Sequence, residues 1–113
     1  MAEGRFNPAH KRVIDSILDG VPGVTERKTF GHPAYYIRGK MFAALVEDGL
    51  ALKLPQDVVE ELVRQATCMP WAPGGVPMGG WVQIVLPDAE AYRDYTPYLE
   101  QSVGYVSQQA ARG

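Results

Sequence analysis

The chain is poorest in the residues that build reactive centres: one cysteine, Cys68, and two histidines, His10 and His32, among 113 residues. A single cysteine excludes an intramolecular disulfide and fits a reducing compartment. Zinc and iron sites need three or four converging N, S or O ligands, and these three residues have no paired spacing, so neither metal nor cofactor is expected. No stretch nears the ~20 apolar residues of a membrane helix, and Met1–Pro8 lacks the apolar core of a secretion signal. The expectation is a cytoplasmic domain with no membrane contact. Dense charge is also missing. The 11 Lys/Arg and 13 Asp/Glu leave a net charge of −2, against a strong electrostatic grip on nucleic acid.

What is present suits one ordinary core. A hydrophobic share of 46% and a charged share of 21% are typical of a globular domain, and the length is that of a single unit. Residues 1–54 carry eight Lys/Arg and six Asp/Glu, whereas residues 55–113 carry three and seven. That mild polarity reads first as two ordinary solvated faces.

The pattern predicts a helix over 8–19: Asn7 caps it, Pro8 suits its first position, and Val13, Ile14, Ile17 and Leu18 form an apolar stripe. Gly20 is the expected left-handed stop. Strands are expected at 24–30, 34–38, 41–46 and 50–54, separated by Gly31-His32-Pro33, Gly39-Lys40 and Glu47-Asp48-Gly49. Connections this short allow only an antiparallel meander. A second amphipathic helix covers 55–66. Residues 68–80, with three prolines and four glycines, are expected to form neither helix nor regular strand. A fifth strand follows at 81–86. A C-terminal helical region then opens at the Asp88 cap, breaks at Thr96-Pro97, restarts and frays over 108–113. The expected class is α+β: an antiparallel meander sheet packed with helices, in the order α-β-β-β-β-α-β-α, as one domain over 1–113 with its core at about 8–106.

No nucleophile elbow or phosphate-cradling glycine loop is present. Cys68 lies near a helix C-terminus, where a thiolate is disfavoured, and reads as a buried structural residue. His32 reads as a neutral turn histidine; work as a proton carrier would need a carboxylate, with Glu47 and Asp48 as candidates. Three functional readings stay open. The leading one is a non-enzymatic interaction domain acting through a sheet face or groove and as a homodimer, with Tyr35, Tyr36, Arg38, Lys40 and Trp71 as contacts. The second is weak nucleic-acid binding through Arg27, Lys28, Arg38, Lys40 and Lys53. The third is a small-molecule site or enzyme using His32 and the 69–80 loop, which otherwise folds back to cap the core.

Val24-Thr25-Glu26-Arg27-Lys28-Thr29-Phe30-Gly31, followed by Gly39-Lys40-Met41-Phe42-Ala43, resembles the TfoX N-terminal domain (TfoX/Sxy) family. Leu50–Leu54 and Pro77-Met78-Gly79-Gly80-Trp81-Val82-Gln83-Ile84 look like later strands of that domain. Similarity to YjbR/MmcQ-like proteins is looser. Thr29 stands where methionine is common in the family, and His32-Pro33 follows the glycine. The resemblance spans about residues 8–106. It implies the same α+β order and an association with regulation of competence genes, but no catalytic residue. On this resemblance a stand-alone domain is expected, without the family's helical C-terminal domain.

Overall fold

A computed structural model describes residues 6–29, 31–46, 49–66 and 68–112. Expectations placed on Phe30, on Glu47-Asp48 and on Gly113 lie outside the described residues. The elements run α1 (Pro8–Leu18), β1 (Val24–Thr29), β2 (His32–Ile37), β3 (Lys40–Val46), β4 (Gly49–Lys53), α2 (Gln56–Arg64), β5 (Met69–Pro70), β6 (Trp81–Ile84) and α3 (Thr96–Arg112). A 3-10 turn at Pro73–Gly75 and a 3-10 helix at Ala89–Tyr95 complete them.

The α+β class and the meander are as expected. All pairings are antiparallel, in the order β1-β2-β3-β4-β6-β5. Ile37 faces Lys40 across a two-residue connection in which Arg38 (φ 52°) and Gly39 (φ 80°) both take positive φ. That conformation matches the strand twist, and only glycine adopts it without strain. The turn is therefore Arg38-Gly39, one residue earlier than expected.

Four other expectations are corrected. His32 and Pro33 belong to β2 rather than to a turn. Pro33 lacks the N–H that a bond to β3 would use, and the β2–β3 pairing accordingly begins at Ala34↔Ala44. Met69-Pro70 forms a short strand on β6, so the sheet has six strands and the 68–80 segment is not wholly irregular. Gly20 has no positive φ; α1 ends at Asp19 in right-handed geometry, and the reversal falls on Gly23 (φ 85°). The C-terminal residues stay helical to Arg112 instead of fraying from 108. The break at Thr96-Pro97 is as expected, separating the 3-10 helix from α3.

Period two sorts the sheet into two faces. Tyr35, Ala43, Leu52 and Val82 share one face with Leu45, Leu50 and Ile84, all within the main core. Helix α1 covers this face: Tyr35 Oη donates to Asp15 Oδ1 at 2.6 Å, and Lys11 bridges Asp15 and Glu26. Tyr92 packs there too, edge-on to the buried His10 and donating to the Ile84 carbonyl. Burial holds His10 below the ordinary histidine value.

The opposite face is built differently. One register row crosses all six strands: Arg27, Ala34, Ala44, Ala51, Gln83 and Met69. Its three central residues are alanines, none of them in the main core cluster. Between Tyr35↔Ala43 and Tyr36↔Met41 the register slips, leaving Phe42 as an extra residue of β3. Such a bulge frees backbone groups. Ser102 of α3 lies near one of them, its hydroxyl 3.3 Å from Phe42 O while it donates to Lys53 O of β4 at 2.5 Å.

Candidate functional site

The 71–80 segment folds back and also lines a groove. Trp71 N donates to Trp81 O, Met78 N to Trp71 O, and Trp81 N to Met78 O, closing the segment into a compact strap. The Trp71 and Trp81 rings lie 5.0 Å apart, a tilted packing that covers the buried Trp81. Between this strap and α2 runs a groove of about 350 Å³. Its floor is Val59, Val63, Pro70 and Trp81, and Met78 stands at its lip. Gln56, Glu60 and Arg64 form a polar rim on α2.

Met78, which lines the groove, is 41% exposed, and Met69 and Val76, outside its lining, are 49% and 69% exposed, a cost in water for each side chain. Methionine adapts its shape to whatever it packs against, and tryptophan supplies a large rigid contact. The arrangement suits an apolar segment held by shape.

The residues expected to make contacts do not share one surface. Tyr35 is 2% exposed and belongs to the core, hydrogen-bonded to Asp15, so it is not a surface contact. Burial and then Asp15 push its phenol far above the ordinary tyrosine value. Tyr36 lies on the alanine face with the Arg27 guanidinium 5.2 Å from its ring centroid. Arg38 donates to Ser107 Oγ of α3 at 3.0 Å, while Lys40 is exposed beside that turn. Trp71 is half-buried in the strap, away from the β2–β3 turn.

The basic residues of the nucleic-acid reading are divided likewise. Arg27 and Lys53 lie on the alanine face, three strand positions apart, roughly 14 Å. Lys28 points to the helix face, and Arg38 and Lys40 sit at a sheet end. His32 and the strap are also separated, on β2 and beyond β6. His32 Nδ1 is enclosed without a hydrogen-bond partner among the described residues. Cys68 is buried, and burial pushes its thiol up to about 11.

The sequence reading missed Val59, Val63, Pro70 and Met78 as groove residues. The available signal was an amphipathic helix followed by a proline-rich segment that carries large apolar side chains unable to enter the same core.

An open antiparallel sheet packed with three helices, with an apolar groove at one edge, defines a small α+β domain. The model of the TfoX N-terminal domain matches residues 16–104, and the chain belongs to that family. A comparison with curated proteins finds no match.

Proposed function

We propose that this chain is a non-enzymatic regulatory domain that acts by docking an apolar segment of a protein partner into the groove between α2 and the 71–80 strap. The observation that carries this reading is the exposed Met78 in a groove that is also lined by Val59, Val63, Pro70, Pro77 and Trp81. Membership of a family associated with regulation of competence genes supports the regulatory part of the reading. Removing apolar surface from water supplies the affinity, and the Glu60 and Arg64 rim orients the segment.

The test is complementation. The gene is deleted in the source organism, transcript levels are measured, and the loss is rescued with wild type, Met78→Asp or Val63→Asp. Each variant places a charge on an apolar contact at the groove, and circular dichroism verifies its fold. Rescue by wild type with at least about tenfold weaker rescue by Met78→Asp supports the reading. Equal rescue by both folded variants, or unchanged transcripts on deletion, refutes it.

A further inference from the structure

The other edge of the sheet, β1, carries an ordered set of charges. Its sequence Val24-Thr25-Glu26-Arg27-Lys28-Thr29 is flanked by β2 on one side only, and no strand pairs with its outer side among the described residues. Lys28 lies opposite Pro33, which has no N–H to exchange. Lys28↔Pro33 is therefore a non-hydrogen-bonded pair, and by alternation so are Glu26↔Tyr35 and Val24↔Ile37. The backbone N–H and C=O groups of Lys28, Glu26 and Val24 consequently point outward, away from the sheet.

We propose that β1 pairs antiparallel with β1 of a second copy of this chain, about a two-fold axis at Arg27, merging two sheets into one. In this register Glu26 of each copy faces Lys28 of the other, and both pairs use the outward backbone groups, each exchanging two N–H···O bonds. Opposite charges directly across a strand pair are favourable, and like charges are not. Sliding the strands by one repeat, so that the axis falls at Glu26, sets Glu26 against Glu26. Each register sets one like pair on its axis, Arg27 against Arg27 or Glu26 against Glu26, but only the first adds two opposite-charge pairs, so the pattern favours the register at Arg27.

Local contacts fit this arrangement. Lys28 makes no ion pair among the described residues and is exposed. Arg27 meets its own copy at the axis, and its guanidinium is drawn back over the Tyr36 ring. This inference is independent of the groove reading, because the groove lies at the other edge.

The experiment is sedimentation equilibrium of the full chain from micromolar to millimolar concentration. Wild type is expected to dimerise. Lys28→Glu sets two glutamates face to face twice, and Glu26→Lys does the same with lysines; each is expected to weaken association by about tenfold or more. An equimolar mixture of the two variants restores both opposite-charge pairs and is expected to recover dimers of near wild-type affinity. Circular dichroism verifies folding, which matters most for Glu26→Lys because Glu26 also meets Lys11. A wild type monomeric throughout the range sinks the pairing and leaves the groove reading standing. A Lys28→Glu chain that dimerises like wild type, or a mixture no better than either variant alone, overturns it as well.

Discussion

The two edges of this sheet face the same hazard, a row of unpaired backbone groups, and meet it in opposite ways. At one edge β5 has only two residues, one of them Pro70, and the 71–80 strap folds against its neighbour through the Trp71–Trp81 packing. At the other, β1 runs for six residues and carries Glu26, Arg27 and Lys28 in succession. Brevity, proline and charge are all devices that blunt an edge. The first edge is closed by packing and becomes the wall of a groove. The second is guarded by charge, and a charge pattern can admit one particular neighbour while repelling others.

The difference predicts that the two edges respond to different insults. The largest effect is expected from Trp81→Ala, which removes the buried ring under the strap. Its cost should be about 3–5 kcal/mol in urea unfolding, with faster proteolysis within 71–80. A cost below about 1 kcal/mol would mean that the strap is held by its backbone bonds alone. Tyr35→Phe comes next. Loss of the 2.6 Å bond to Asp15 should cost about 1–2 kcal/mol, without changing proteolysis of the strap. The smallest effect is expected from Lys11→Met, which removes the ion pairs to Asp15 and Glu26. Both pairs are partly solvated, so the loss should stay below about 1 kcal/mol and shrink further in 1 M salt. If added salt shifts the unfolding of Trp81→Ala more than that of wild type, packing at one edge and charge at the other are not separate.

The sequence made the centre of the fold legible because punctuation and periodicity agree there. Gly39, Gly49 and the alternation of Leu50, Leu52 and Leu54 mark strands and turns through purely local constraints. At Gly49 a Cβ would lie 2.1 Å from Ile84 O, so this glycine also serves a close backbone approach that sequence alone could not reveal. Pro33 misled for a physical reason. Proline usually ends a strand, but it is tolerated where its missing N–H falls at the end of a ladder, and that depends on register.

The contact residues failed on a related point. Tyr35 and Tyr36 are adjacent in a strand and must face opposite sides, so both could not join one surface. Which of them turned inward depended on the location of α1 and Asp15. The basic set suffered similarly, since sequence proximity of Arg27 and Lys28 places them on opposite faces. The groove was legible only in part. The sequence marks the strap as the rim of a groove, yet the other wall comes from α2, and the two walls face each other only once Met69-Pro70 pairs with β6.

The Ser102 hydroxyl has a consequence for how the chain is made. It shields carbonyls of Phe42 and Lys53, residues 60 and 49 positions earlier. During synthesis the meander leaves the ribosome first, and its bulge stays exposed until α3 follows. The nascent protein passes through an interval in which its strands exist without their final clasp, and in that interval it is most open to chaperones and to mispairing with other chains.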